Sequence, residues 1–197
     1  MKLVFATNNP HKLQEIKQLL GNSIELLSLT DINCEEDIPE NQETIEGNAA
    51  EKSFYIWNKY GLNCFADDTG LEIDALNGEP GVYSARYAGE EKSPDKNMDL
   101  VLQKLSEIKN RKARFKTVIS LVIDGREIQF EGIVNGQILE KKRGKTGFGY
   151  DPIFQPDESH LSFAEMPMDE KNKISHRGRA VQKLVDYLTH LKTDEPI

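Results

Sequence analysis

The sequence has few cysteines, no long apolar run and no excess of positive charge. Cys34 and Cys64 are the only cysteines in 197 residues, and they lack the paired spacing of a disulfide framework or a zinc site, which predicts two reduced thiols. No apolar run approaches the roughly 18 residues that a membrane span needs. The segment Met1–Ala6 is too short for the core of a signal peptide. We therefore expect a cytoplasmic protein with no membrane partner.

The charge balance excludes a further class of partner. Lys and Arg number 25 against 33 Asp and Glu, so the formal net charge is -8. Such a chain has no general affinity for the nucleic-acid backbone, and we expect no nucleic-acid partner. A small polyanionic ligand would instead need a local cluster of basic side chains. The length and a hydrophobic content of 38% fit one domain over residues 1–197.

The hydrophobic pattern alternates short apolar runs with amphipathic segments in the first half of the chain. Strand patterns that alternate with helical patterns predict an α/β fold. Asp124-Gly125 is a strong hairpin signal between two further strand patterns, which predicts a mixed β-sheet flanked by helices. The predicted strands are 2–6, 23–29, a segment through Phe65 and Ala66, 113–124 and 127–134, and the predicted helices begin near Pro10, Thr44, Ser93 and Ser175.

Two adjacent carboxylates follow the apolar residues Phe65 and Ala66, in the sequence Asp67-Asp68-Thr69-Gly70. Neighbouring carboxylates repel each other and disfavour strand structure. Because Asp and Gly are also ordinary turn residues, this stretch alone favours a turn that ends the strand. The alternative is a site that binds a divalent metal or moves a proton. The stretch by itself leaves both interpretations open.

Three groups of basic residues could supply a polyanion site. Thr7–Lys12 is a polar turn before a helix, and helix N-terminal amides with an ammonium group suit phosphate, although the turn alone favours a capped helix with a solvated lysine. Lys52 lies on an otherwise apolar helical face, where the alternative is a lysine that snorkels to the surface. Lys171, Lys173 and His176-Arg177 surround the start of the last helix, where cations oppose the helix dipole. That last position predicts a nearby anionic or acceptor-rich group, or else a charged surface turn.

Gly147-Phe148-Gly149-Tyr150-Asp151 places two aromatic rings and an acid on a backbone loosened by glycine. Such a segment can stack on a planar ring and accept hydrogen bonds from its edge. It can also be a packed turn, and the local pattern alone favours the turn.

Five segments, taken together and in this order, resemble the inosine triphosphate pyrophosphatase family, whose members are also called dITP/XTP pyrophosphatases. The resemblance covers nearly the whole chain, from Lys2 to the final helix, and segment 164–177 looks more like archaeal and eukaryotic members than bacterial ones. The matching segments are Thr7–Lys12, Phe65–Gly70, Gly81–Tyr87, Phe148–Asp151 and Ser175–Arg177.

The resemblance implies an activity and an architecture. The expected reaction is hydrolysis of non-standard purine nucleoside triphosphates (ITP, dITP and XTP) to the monophosphate and pyrophosphate, with Mg2+, which cleanses the nucleotide pool. The expected architecture is a homodimer, each chain having a long mixed sheet and two lobes with the active-site cleft between them. An alternative from another class is a non-catalytic purine nucleotide-binding or sensing protein on the same scaffold. The presence of both Glu40 and Asp68 argues against that alternative.

The resemblance also implies a role for individual residues. Glu40 and Asp68 are expected to bind the metal, Asp68 is expected to accept the proton of the attacking water, and Asp67 is expected to orient or tune Asp68. His176 and Arg177 offer donors to a 6-oxo group, which adenine lacks. The expected contacts with the phosphates or other parts of the substrate are Thr7, Asn8, Asn9, Pro10, His11, Lys12, Lys52, Thr69 and Lys171, and the expected base pocket is Phe148, Gly149, Tyr150, Asp151, His176 and Arg177.

Overall fold

The computed structural model describes residues 1–21 and 24–193. Their strands form one seven-stranded sheet in the order β2-β1-β3-β5-β6-β7, with β4 paired to β3. β1 is parallel to β2 and β3, whereas β4 is antiparallel to β3 and β7 to β6, so the predicted mixed sheet is confirmed. The strands are β1 Lys2–Phe5, β2 Glu25–Leu27, β3 Cys64–Ile73, β4 Pro80–Gly81, β5 Lys112–Ile123, β6 Arg126–Ile138 and β7 Phe154–Pro156.

The helices begin and end where local signals place them. The side chain of Asn9 accepts hydrogen bonds from the amides of His11 and Lys12 at the start of α1, and the side chain of Thr44 accepts one from Gly47 at the start of α2. Gly61, with a φ of 63°, ends α2 in the left-handed conformation that glycine tolerates best. The α-helices are α1 Pro10–Leu20, α2 Ile45–Tyr60, α3 Pro94–Lys104, α4 Met168–Ile174 and α5 His176–Thr193.

The chain forms two compact units. The first unit comprises Met1–Asp68, Thr117–Gly132 and the described residues from Arg177 onward, and the second comprises Thr69–Lys116 and Ile133–His176. The strands β3, β5 and β6 therefore contribute residues to both units.

The core of the first unit lies on both faces of its part of the sheet. Alternate strand residues, among them Phe5 and Phe65, pack with α1 and α5 on one face, and the two rings stack with centroids 4.7 Å apart. The intervening residues, among them Cys64 and Ala66, pack with α2 on the other face. Because successive residues of a strand point to opposite faces, Asp67 continues the row of Phe65 and Asp68 continues the row of Ala66.

The second unit has a separate aromatic core. Phe115 of β5 lies with its ring centroid 4.7 Å from that of Phe154 on β7, in an edge-on arrangement. Residues of α3, including Val101, complete this core together with Leu71 and Ile73 of β3.

The prediction of a turn after Ala66, which the local pattern favoured, is wrong. β3 continues without a break through Asp67, Asp68, Thr69 and Gly70 to Ile73. Local repulsion between the carboxylates does not end the strand, because their side chains point to opposite faces and each has cationic partners there.

The last helix begins at His176, as predicted near Ser175. A separate short helix, α4, which was not predicted, precedes it and ends at Ile174. Lys171 and Lys173 lie in the last turn of α4, where positive charge interacts favourably with the helix dipole rather than opposing it.

Of the predicted strand 23–29, β2 covers Glu25–Leu27, and residue 23 lies outside the described residues.

Among the described helices, none combines the length and apolar character required to cross a membrane.

A substitution at Gly136 on β6 tests the close contact between β6 and β7. A Cβ atom at this position would lie 2.2 Å from the carbonyl oxygen of Gln155, and overpacking of this kind costs about 1–3 kcal/mol. We expect Gly136→Ala to lower the free energy of unfolding, measured by urea denaturation, by about that amount. Gln137→Ala, at the neighbouring exposed position, is the control and should change it little. Equal effects of the two substitutions would contradict the contact.

Candidate active site

Asp67 is held by two cations on the face of β3 that packs with α1 and α5. The Nζ atom of Lys12 lies 3.1 Å from Oδ1 of Asp67, and Nε of Arg177 donates to Oδ2 at 3.2 Å. Burial opposes ionisation of Asp67, but the charges of Lys12 and Arg177 outweigh it and hold the pKa of Asp67 well below its ordinary value. Asp67 is therefore a fixed anion.

Arg177 connects this carboxylate to helix α1. Its side chain is almost fully buried, with the residue 1% exposed, and its Nη1 atom pairs with Oε2 of Glu15, which is also buried. Two carboxylates from separate elements thus orient one guanidinium group. Buried charges need such partners, because removal of one partner leaves an uncompensated charge.

Asp68 points to the other face of β3, toward α2. Nδ2 of Asn48 donates to its Oδ2 at 3.2 Å, and Nζ of Lys52 lies 3.7 Å from its Oδ1. Burial raises the pKa of Asp68, and this effect outweighs the opposing charges of Lys52 and Lys12. A carboxylate with a raised pKa is a better proton acceptor than an ordinary one. Burial is the largest cause of this rise in the pKa of Asp68, and the charge of Glu40 adds to it.

Helix α2 also holds the loop that contains Glu40. Nζ of Lys52 lies 2.5 Å from Oε1 of Glu40, Oδ1 of Asn48 accepts a hydrogen bond from the amide of Gln42 at 2.9 Å, and Oε2 of Glu51 accepts one from the amide of Asn41 at 2.7 Å. Burial lowers the pKa of Lys52, but Asp68 and Glu40 more than offset this, so its pKa is raised and it stays charged. Glu40 and Asp68 thereby share one ammonium group.

The two carboxylates fit a magnesium ion better than a metal held by protein alone. Among the described ranges, no group of three or more His, Cys, Asp or Glu could hold a metal ion. Mg2+ does not need such a group, because it is commonly bound by one or two carboxylates together with substrate phosphates and water. The site of Glu40 and Asp68 already holds a cation, the ammonium of Lys52, which shows that it is built for positive charge.

A second cluster lies within the second unit, around the segment Gly147–Asp151. Nζ of Lys171 pairs with Oδ2 of Asp151 at 2.8 Å, and both side chains are buried. The same Oδ2 accepts a hydrogen bond from the amide of Phe148 at 2.8 Å, and the ammonium lies 5.0 Å from the centroid of the Phe148 ring. A Cβ atom at Gly147 would lie 2.2 Å from that oxygen, so the loop conformation requires glycine there. Phe148 itself is only partly buried.

Two other predicted base-pocket residues are packed into the second unit. The hydroxyl group of Tyr150 donates to the carbonyl oxygen of Ser84 at 2.7 Å, and Tyr150 is buried. The ring of His176 stacks on that of Phe115, with centroids 4.5 Å apart and planes at 19°. Gly149 adopts a φ of 63° between Phe148 and Tyr150.

The remaining predicted residues lie at the N-terminus of α1 and in β3. Thr7 accepts a hydrogen bond from the amide of Asn9 at 3.2 Å, and Asn9 caps the helix, so the predicted cap is confirmed. The expected solvated lysine is wrong, because Lys12 pairs with the buried Asp67. Asn8, Pro10 and His11 are exposed, and Thr69 is partly buried. Their contacts with substrate stay predictions.

Sequence reasoning missed Glu15 and Asn48. Glu15 adjoins Ile16 on the buried side of α1, and Asn48 lies four residues before Lys52 on α2. In both cases a polar residue lies on a helical face that was predicted to be buried. Such residues are seldom buried without a partner, so each of them indicated a nearby polar or charged group.

The fold and these clusters define an α/β protein in which buried carboxylates and ammonium groups meet on a central strand. The chain belongs to the Ham1 family, whose model matches residues 3–187 and so extends over both units. The predicted resemblance and the fold class are therefore confirmed.

Named relatives and solved structures agree with this membership. The chain is 59% identical over 192 residues to the dITP/XTP pyrophosphatase of Flavobacterium johnsoniae, covering 98% of this chain and all of that protein. It is 52% identical to the dITP/XTP pyrophosphatase of Porphyromonas gingivalis, covering 95% of this chain and 97% of that protein. The Staphylococcus aureus Ham1 protein superposes with a TM-score of 0.88 at 38% identity, covering 96% and 99% of the two chains. The expected likeness of segment 164–177 to archaeal and eukaryotic members stays a prediction.

The pairing of Glu15 with Arg177 yields a stability prediction. Glu15→Gln removes the charge of one partner in a buried pair, and such changes cost about 3–5 kcal/mol. We expect a loss of about 3 kcal/mol in the free energy of unfolding, measured by urea denaturation at neutral pH.

Glu25→Gln provides the matched control on the surface. Glu25 pairs with Lys2 at 2.8 Å, but both side chains are more than half exposed. Solvent screens such a pair, so its loss should change stability little. If Glu15→Gln is as mild as Glu25→Gln, the buried pair does not hold Arg177 as described.

Proposed function

We propose that this protein is a nucleoside triphosphate pyrophosphatase that hydrolyses ITP, dITP and XTP to the monophosphate and pyrophosphate. The observation that supports this most directly is Asp68, a buried carboxylate with a raised pKa that lies beside Glu40 and Lys52. The relatives named dITP/XTP pyrophosphatase supply the substrate class. The coarser assignment, a hydrolase of the Ham1 family, rests on the same relatives and on the family match.

In the proposed reaction, Asp68 accepts the proton of a water that attacks the α-phosphorus, and the bond between the α- and β-phosphates breaks. The raised pKa of Asp68 favours this role because a base must hold the proton that it removes. Asn48 fixes the other oxygen of the carboxylate and so sets its orientation. Asp67, whose charge is already balanced by Lys12 and Arg177, is proposed to hold these cations in place rather than to react.

Mg2+ is the proposed cofactor, with Glu40 and Asp68 as its ligands. When bound, the ion would offset the negative charge of the phosphate oxygens and help to hold the water. A triphosphate has about four negative charges, which exceeds what one divalent ion balances. Lys12, Lys52 and the amides at the N-terminus of α1 are proposed to balance the remainder, together with the side chains of Thr7–His11 and Thr69.

The base is proposed to contact segment 147–151, Lys171 and the start of α5. Phe148 offers an aromatic surface for stacking, and the pair of Asp151 and Lys171 offers an acceptor and a donor beside it. Gly149 and Tyr150 shape the same loop. His176 and Arg177 are the proposed donors to a 6-oxo group, and the guanidinium of Arg177 is oriented by Glu15 and Asp67. Adenine would leave such donors without an acceptor, and mismatches of this kind can cost a factor of about 10^4.

We further propose a cytoplasmic homodimer, for which the support is the resemblance of the motifs to those of the family. The competing function is a non-catalytic purine nucleotide-binding or sensing protein on this scaffold. It explains the buried lysines but gives no reason for two carboxylates around one ammonium group, so the enzyme is the better account.

A panel of nucleotides tests the proposed function. With Mg2+, the purified protein should release pyrophosphate from ITP, dITP and XTP with kcat/KM at least about a hundredfold higher than from ATP, because ATP lacks the 6-oxo acceptor. GTP, which has that group, should also be a poor substrate. Equal rates across the panel would refute the specificity, and tight binding of ITP without pyrophosphate release would favour the sensing protein.

The role of Asp68 is tested by Asp68→Asn. Asparagine has nearly the same size but cannot take the proton, so kcat should fall by about 10^3-fold or more while the fold is kept. Asp74→Asn is the control, because Asp74 follows the same strand but is exposed. Circular dichroism and thermal unfolding verify that both variants are folded. Near-normal turnover in Asp68→Asn would remove Asp68 from its assigned role.

A further inference from the structure

The ammonium group of Lys52 lies beside Glu40 and Asp68, the two proposed metal ligands. Its Nζ atom is 2.5 Å from Oε1 of Glu40 and 3.7 Å from Oδ1 of Asp68. We propose that the ammonium of Lys52 stands in for the divalent cation in the nucleotide-free protein, and that nucleotide phosphates must draw it away before the metal binds tightly. This inference rests on the proposed function and adds an order of binding to it.

The position of Lys52 is fixed by its helix. The apolar residues Ile45, Ala49 and Ile56 anchor the same face of α2 in the core, and Lys52 itself is 5% exposed. The backbone at Lys52 is therefore fixed, whereas its flexible four-carbon side chain allows the ammonium group to change partners nearby. Glu40, by contrast, lies outside any helix or strand and its side chain is 35% exposed, so the pairing with Lys52 holds the carboxylate inward.

The two negative charges of Glu40 and Asp68 are stabilised by a cation between them. The ammonium group of Lys52 lies 2.5 Å from Oε1 of Glu40 and 3.7 Å from Oδ1 of Asp68, so the two carboxylates are close neighbours. Without a cation their negative charges would repel each other. The ammonium of Lys52 offsets part of this repulsion, but a divalent ion then meets an ammonium group at the same oxygens. The free protein should consequently bind the metal weakly.

Nucleotide binding relieves this competition. A triphosphate offers Lys52 alternative anionic partners, and movement of its ammonium group from the carboxylates to the phosphates would open the carboxylate oxygens to the metal. Metal and nucleotide would then each increase the affinity of the protein for the other, by the same factor, because binding coupling is reciprocal. Lys52 is thus a positioning residue for the metal ligands as well as a proposed phosphate contact.

Binding of Mn2+ to the full-length protein, followed by electron paramagnetic resonance, tests this inference without catalysis. In wild type, the α,β-methylene analogue of ITP, whose α–β linkage is not hydrolysed, should tighten Mn2+ binding about tenfold or more. In Lys52→Met, Mn2+ should bind about tenfold more tightly than to wild type in the absence of nucleotide, and the further tightening by the analogue should be smaller than in wild type, because only direct coordination by its phosphates remains. Lys52→Gln should behave similarly, which guards against a defect specific to methionine.

Lys12→Met is the matched control for the loss of a nearby positive charge. Lys12 lies on α1, at the opposite face of β3 from Lys52, and pairs with Asp67 rather than with the two proposed metal ligands. Its loss should change Mn2+ affinity much less than the loss of Lys52. Circular dichroism confirms folding of each variant.

Two results would overturn the inference, and a third would remove its basis. Unchanged Mn2+ affinity in both Lys52 variants shows that the ammonium does not compete, and an equal gain in Lys12→Met shows only a general field effect. If wild type hydrolyses ITP while either result is found, the inference fails and the proposed function stands. If wild type neither binds the analogue nor hydrolyses ITP, the proposed function fails as well.

Discussion

The structure of the first unit depends on the placement of two adjacent carboxylates on opposite faces of β3. Asp67 meets Lys12 and Arg177 on one face, and Asp68 meets Lys52 and Asn48 on the other. The alternation of a strand makes this possible, because neighbours in sequence become separated by the sheet itself. A buried charge without a partner costs several kcal/mol, so each carboxylate constrains the helices that supply its partners. The same contacts that allow β3 to continue therefore also position α1, α2 and α5.

The two faces of β3 shift the pKa values of Asp67 and Asp68 in opposite directions. On the face of α1 and α5 the anion is fully balanced, the pKa of Asp67 is low, and Glu15 completes the set of charges. On the face of α2 burial prevails, the pKa of Asp68 is raised, and the carboxylate is suited to accept a proton. Two residues of the same type, adjacent in sequence, thus receive different properties from their surroundings alone. That difference favours Asp68 as the reactive group and Asp67 as its support, as the family resemblance had implied.

Much of the fold could be predicted because its signals are local. Asn9 and Thr44 cap helices, Gly21 and Gly61 end them, and Asp124-Gly125 forms the hairpin turn between β5 and β6. The course of β3 could not be predicted in this way, because its stabilising partners are distant: Lys12 is 55 residues from Asp67 and Arg177 is 110 residues away. Local repulsion was visible in the sequence and long-range compensation was not. The family resemblance supplied Glu40, Asp68 and Lys52 without their contacts, and it gave no role to Glu15 or Asn48, whose importance follows only from the packing of their helices.

In the second unit, a buried ion pair fixes the loop that contains Phe148. Asp151 and Lys171 form a buried pair, and the amide of Phe148 donates to the same carboxylate oxygen. The partly buried ring of Phe148 is therefore held on a loop whose conformation is already set by charge pairing and by the glycine at 147. A preformed surface loses little conformational entropy when it binds a planar base, so more of the contact energy is available for discrimination. Under the proposed function, selectivity for the base then depends on polar groups whose positions are already fixed in the folded protein, among them Asp151 and Lys171.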